Sequence, residues 1–220
     1  PPRRPGEARA GSARRRAGLS ERIALLVGGA AIVGVFVGVL LWNGLGPGPI
    51  DVFVVALGNR TGWSLTVTTW AVFGLVNLVV WAAGRRPGIG TVVAPTLAGW
   101  VVEASLVGLT HVDRPDALLV RLLIQVGGIA AIGLGVAAVM SSDLGDGPSE
   151  LLTSVISDAT AWPETRIRLG LEVVWLSIGT ILGGPVGFGT AVVALLIGNS
   201  IGLGRRVVDG AGTRLCVGRG

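Results

Sequence analysis

Lysine and tyrosine are absent from this chain, cysteine and histidine occur once each, and charged residues make up only 14% of it. The single cysteine, Cys216, excludes a disulfide within the chain. The single histidine, His111 in the polar stretch HVDRPD, has no second histidine or cysteine beside it to complete a metal site. Neither H-E-x-x-H nor G-x-S-x-G occurs, and the glycine-rich turns lack both the lysine of a P-loop and a preceding strand. No catalytic residue, metal or cofactor is therefore expected, and the chain does not read as an enzyme. The shortage of charge says more. A soluble domain carries about 25% charged residues. Here half the residues are hydrophobic and the mean hydropathy is +0.72, which makes the apolar runs membrane spans. All 18 basic residues are arginine, and the net charge is +5. They gather in the tails and at span ends, so membrane topology and anionic lipid account for them, not nucleic acid.

Residues 1–19 hold six arginines and little to pack, and read as a disordered cytoplasmic tail. Ile23–Trp42 covers one bilayer core of about 30 Å and is too long for a signal-peptide core; no A-x-A-like site follows it. It is the first span. LGPGPID (Leu45–Asp51) follows, then a short apolar segment at Ile50–Leu57 and a span at Ser64–Ala83. Further spans fall at Thr91–Thr110 and Ala117–Met140. LGDGPSE (Leu144–Glu150), a second short segment at Leu151–Ser157, and spans at Arg166–Leu182 and Phe188–Leu203 complete the pattern.

The two interruptions are copies. Residues 22–103 laid over 121–202, a shift of 99 without gaps, give 21 identities in 82 positions. This composition would match by chance at roughly a tenth of them, so the match marks a structural repeat. The fold expected is all-α, with six transmembrane helices in two three-helix repeats (20–110 and 117–204). Each repeat has a short half-helix after its first span, and residues 205–220 form a second cytoplasmic tail. Three spans per half turn the second copy over. Arg85 and Arg86 follow the second span, but Gly184 and Pro185 occupy the matched place; Arg166 and Arg168 open the fifth span, where the first half has Val67 and Thr69. The basic residues follow the side of the membrane and not the repeat, as inverted-topology repeats require. Both termini are then cytoplasmic, in a multi-pass protein of the bacterial plasma membrane.

In each interruption, glycine precedes proline at the first helical position, and an acid stands in the first turn: Gly46, Gly48, Pro49 and Asp51 in one, Gly145, Gly147, Pro148 and Glu150 in the other. The acids suit caps, since a carboxylate there opposes the helix dipole. They also suit ligands, if two half-helices point their N-termini at one site near the midplane. Bare helix ends favour an anion and added carboxylates a cation or proton, which leaves the sign of any cargo open. RPGIGT (Arg86–Thr91) and GPVGFGT (Gly184–Thr190) are paired turns, with Thr91 and Thr190 as N-cap candidates. Glu103 and Glu172 are acids within spans and join the candidate binding set; Arg168, four residues before Glu172, can pair with it. Arg121 suits snorkelling, Asn77 and Gln125 interhelical hydrogen bonds, and Gly34 with Gly38 a close-packing face.

GLGPGPID with the following TGWS, RPGIGT with Glu103 after it, the glycine-rich end of span 4, and Arg168-x-x-x-Glu172 leading to GGPVGFGT together resemble the YczE/YyaS/YitT-like family of bacterial integral membrane proteins. The resemblance covers about residues 20–205, with LGDGPSE departing from a plainer glycine-rich version. It implies a plasma-membrane protein and no particular substrate. The function expected is a secondary transporter or channel-like permease for a small solute, with a site between the half-helices. The alternative is a non-transporting scaffold or regulatory subunit of a larger assembly. The partners are the lipid bilayer and the solute, with a homo-oligomer as a possible assembly.

Overall fold

The computed structural model describes residues 18–217, with side chains described as far as residue 210. The reading of residues 1–17 as a tail lies outside the described residues, and Cys216 lies beyond the described side chains. Eight helices, and no strand, form among those described. They are α1 (Leu19–Asn43), α2 (Pro49–Thr61), α3 (Leu65–Ala82), α4 (Ile89–Leu109), α5 (Leu118–Ser141), α6 (Pro148–Thr160), α7 (Glu164–Ile181) and α8 (Phe188–Val217). Helix α8 runs well past Leu203, where the sequence suggests loose chain.

Five helices are long and apolar enough to cross a membrane: α1, α3, α4, α5 and the Phe188–Gly210 part of α8. Helix α7 has 18 residues, as many as α3, but it carries Glu164, Arg166, Arg168 and Glu172 and falls short on composition. The sequence reading makes α7 the fifth of six spans. Its length fits that reading and its charge does not.

Helices α2 and α6 have 13 residues each, or about 20 Å, too short to cross a core of about 30 Å. Both exceed the expected segments at each end: they begin directly at Pro49 and Pro148, after extended Gly48 and Gly147, and run on to Thr61 and Thr160. Both end where the next residue turns left-handed, Gly62 at φ +74° and Ala161 at φ +57°. Every positive φ among the described residues belongs to such a matched pair. The pairs are Gly44 with Asp143, Gly46 with Gly145, Gly62 with Ala161, and Gly84 with Gly183. The backbone thus repeats its turns at the same shift of 99 even where the side chain has changed.

Helix α1 packs against α5 and α4, and α5 packs against α8. Small residues let these backbones meet. A Cβ on Gly29 would lie 2.6 Å from the Gly135 carbonyl oxygen, and one on Gly34 would lie 2.7 Å from that of Ala98. Gly38 faces Ser105 in the same seam, so the Gly34/Gly38 face does pack a helix. Two apolar cores sit on either side of the α1–α5 contact: Leu26, Ala30, Ala94 and Val139 in one, Leu40, Ile129, Ile132 and Val193 in the other. They are related by the same shift, since Ala30 matches Ile129, Leu40 matches Val139 and Ala94 matches Val193.

Arginines fix the direction of α1 against α5. Near the start of α1, Arg22 Nε donates to the Ser142 carbonyl (2.7 Å) and Nη2 to that of Asp143, at the end of α5. Near the start of α5, Arg121 donates to the Asn43 carbonyl from Nη2 (2.7 Å) and Nε (3.2 Å), at the end of α1. Arg121 does not snorkel outward. Each matched arginine satisfies orphan carbonyls at the C-terminus of the other half's first helix, so the two helices run antiparallel. Gln125 and Asn43 extend this join: Asn43 Nδ2 donates to Gln125 Oε1 (3.1 Å), and Gln125 Nε2 donates to the Gly46 carbonyl (2.9 Å). The expected bonding of Gln125 is present. The Asn77 Oδ1, by contrast, has no partner.

Candidate functional site

The glycine motifs and the paired turns meet crosswise. The Gly189 N–H donates to the Leu45 carbonyl (2.7 Å), and the Gly90 N–H donates to that of Leu144 (2.8 Å). Leu45 matches Leu144 and Gly90 matches Gly189, so the first interruption rests on the second half's turn and the second interruption on the first half's turn. Gly46, at φ +110°, lies against Thr190 Oγ1 and the Gly187 N–H; Gly145, at φ +140°, lies against Thr91 Oγ1 and the Thr91 N–H. Thr91 and Thr190 are therefore not N-caps. They are almost fully buried at the third positions of α4 and α8, and Gly88 and Gly187 take the cap places because a side chain there would strike the backbone of the opposite motif.

These crossed joins aim both half-helices into one cavity of about 250 Å³. Gly48-Pro49-Ile50-Asp51 and Gly147-Pro148-Ser149-Glu150, the N-terminal turns of α2 and α6, both line it. The acids sit as their spacing suggests. The Asp51 carboxylate takes the Gly48 N–H and occupies the space where a Cβ on Gly48 would come within 2.9 Å of Oδ2. Glu150 Oε2 fills the matching space beside Gly147. Asp51 thus caps its helix, and both acids line the cavity together.

The rest of the wall is unequal. Helix α7 contributes Arg168, Glu172 and Trp175, where the matched positions of α3 are Thr69, Phe73 and Val76. Arg168 stands between two acids, with Nη2 3.7 Å from Glu150 Oε1 and Nε 3.4 Å from Glu172 Oε1. Trp175 is held by stacking on Phe53 of α2, ring centroids 5.3 Å apart. The remaining lining is mostly apolar and comes chiefly from α1, α4, α5 and α8.

Of the candidate binding residues, the structure brings Gly48, Asp51, Gly147, Glu150 and Glu172 to this cavity. Gly46 and Gly145 lie behind it, in the crossed joins. Glu103 lies elsewhere: its Oε1 accepts the Thr66 N–H (3.0 Å) at the start of α3, where Ser64 Oγ accepts the Val67 N–H (3.3 Å). It is a helix cap contributed by a neighbouring helix, because α3 begins against the later part of α4. The sequence reads Arg168 as a marker of the cytoplasmic side and as a partner of Glu172. Its bridge to Glu150, and the stacking of Phe53 on Trp175, had no signal in spacing because the partners belong to different helices. Among the described residues no group of three or more His, Cys, Asp or Glu is placed to hold a metal ion.

The profile of a family of unknown function, DUF6198, matches residues 20–206, which is all of the chain that forms the helices and cavity apart from the last turns of α8. The chain belongs to this family. Similar proteins agree in extent. An uncharacterized protein of Haemophilus influenzae is 30% identical over 181 residues, 81% of each chain. The uncharacterized membrane protein YczE of Bacillus subtilis is 30% identical over 160 residues, 70% of this chain and 71% of its own. The uncharacterized protein YyaS of the same organism is 26% identical over 173 residues, 77% and 85% respectively. No solved structure matches the chain. The DUF6198 chain is thus a membrane protein, with several helices able to cross a bilayer and a relative that is named as a membrane protein.

Proposed function

We propose that this protein is a plasma-membrane permease, a secondary transporter or channel for a small solute, built as two inverted three-span repeats around the cavity. The observation that carries the reading is that the N-terminal turns of α2 and α6, one from each half, line the same cavity. Half-helices whose positive ends meet at a shared site are a recurrent device of transporters. The antiparallel α1 and α5, the crossed motif joins and the matched positive-φ pairs support the inverted arrangement. On this reading α7 is the fifth of six crossings, and the charges of Arg168 and Glu172 within it are tolerated because both face the cavity instead of lipid. Both termini are then cytoplasmic.

Topology reporters test the architecture directly. Fusions after Arg86 and after Pro185 are expected on opposite sides of the membrane, and both on one side would end the inverted arrangement. Function is tested by a binding screen on purified protein, followed by flux into proteoliposomes. Flux of at least one solute is expected, and the Asp51→Asn/Glu150→Gln double variant is expected to lose roughly tenfold or more of it, the equivalent of about 1.4 kcal/mol of lost interaction. No binding and no flux across a broad solute panel would instead favour a non-transporting scaffold.

A further inference from the structure

The apolar walls of the cavity obey the repeat, but its charge does not. Asp51, Glu150 and Glu172 supply three carboxylates and Arg168 a single guanidinium. The two half-helix N-termini each add about half a positive charge. With every group ionised, about one net negative charge remains in a largely apolar enclosure. Arg168 is held between Glu150 and Glu172, so it is not free to receive an anion. Asp51 faces the cavity with only its own helix N-terminus for a partner. An unneutralised charge in such surroundings is costly, and a monovalent cation beside Asp51 removes that cost. Phe73 of α3 and Trp175 of α7 also line the cavity, and their aromatic faces suit a cation with an organic shell better than a hydrated metal ion.

The way in is also unequal. Helix α3 packs along α4, whereas the matched pair α7 and α8 share no such interface. Two matched positions show why. A Cβ on Gly99 of α4 would touch Thr66 and Thr69 of α3 at 3.5 Å, but one on the matched Gly198 of α8 would meet nothing within 4 Å. Glu103, which ties α4 to α3, is matched by Gly202, and there too a Cβ would meet nothing within 4 Å. Leu171, Glu172 and Trp175 on one side of this open seam and Val193, Ile197 and Ile201 on the other all line the cavity. A seam between two outer helices, flanked by exposed Leu169, Val173 and Leu195, opens toward lipid tails.

We propose that the cavity binds a small amphiphilic organic monocation, with its ammonium beside Asp51 and its apolar part against Phe73 and Trp175, and that this ligand enters from the bilayer between α7 and α8. The inference rests on the cavity being the solute site, and goes beyond it by assigning the ligand's class and its route.

The test uses the full chain in lipid nanodiscs, with three probes of similar shape: benzyltrimethylammonium, neutral neopentylbenzene and anionic benzenesulfonate. Benzyltrimethylammonium is expected to bind at least tenfold more tightly than the other two. Asp51→Asn, which keeps an acceptor for the Gly48 N–H, is expected to weaken it tenfold or more, and Asp51→Glu to retain most of the affinity. Gly198→Trp, placed in open space so that the fold is kept, is expected to slow association severalfold. Equal or tighter binding of either control, no binding of any probe, or an Asp51→Asn variant that binds as the parent does would overturn the ligand class. An unchanged association rate in Gly198→Trp would overturn the route. Flux separates this inference from the permease reading. Cation binding without flux of any solute keeps the site and removes the permease; flux of an anion or neutral solute without cation binding does the reverse.

Discussion

Gly46→Leu is expected to lower stability more than any other single substitution at the paired motifs. Two costs add at this position. The backbone has φ +110°, which a side chain adopts only at about 1–3 kcal/mol. A Cβ would also run into Thr190 Oγ1 and the Gly187 nitrogen, and overpacking of that kind costs about 1–3 kcal/mol more. The total, about 2–6 kcal/mol, is a large part of the stability of an ordinary domain. Gly62→Ala is the control. Its φ is +74°, but a Cβ there meets nothing within 4 Å, so only the backbone cost of about 1 kcal/mol applies. Thermal unfolding in detergent, followed by the loss of monodisperse protein, should show Gly46→Leu collapsing at far lower temperature than Gly62→Ala. Comparable midpoints would mean that the crossed join is loose. Thr190→Ala in a Gly46→Ala background should recover part of the loss, because it removes the hydroxyl but neither the Gly187 nitrogen nor the strained φ.

The second large effect is expected at the two reciprocal arginines. Arg121→Ala removes both bonds to the Asn43 carbonyl, and Arg22→Ala removes those to Ser142 and Asp143. Hydrogen bonds from a charged donor contribute about 1.5–3 kcal/mol, so each variant should melt about 3–12 °C lower. Because the sites lie at opposite ends of α1 and α5 and share no partner, the losses should add in the double variant. Lysine should rescue Arg22 poorly, since its single ammonium does not reproduce a fork that reaches two carbonyls. A full rescue by lysine, or melting unchanged from the parent, would reduce these arginines to surface charges.

Much of the local structure was legible without coordinates. The positions of the long helices followed from apolar runs, and the starts of α2 and α6 followed from a glycine before a proline with an acid in the first turn. The shift of 99 identified which residues are equivalent. It did not say which ones touch, and there the reading went astray. Thr91 and Thr190 look like caps in sequence, yet each packs on the glycine motif of the other half. Glu103 looks like a buried pathway acid, yet it caps α3. Arg121 at a span end looks like a snorkelling residue, yet it closes the end of α1.

The sequence by itself determined the membrane character, the two interruptions and their glycine-proline helix starts, because each depends on neighbours within a turn or two or on apolar length alone. The tertiary structure alone decided that the two halves interlock crosswise, that Arg168 bridges Glu150 and Glu172, and that the α7–α8 seam stays open while α3–α4 closes. Those outcomes depend on contacts between residues far apart in the chain, such as Arg22 with Ser142 and Leu45 with Gly189. A repeat carries equivalence along the chain. Only packing converts it into adjacency, and the departures from symmetry at Arg168, Glu172, Gly198 and Gly202 then make the cavity one-sided.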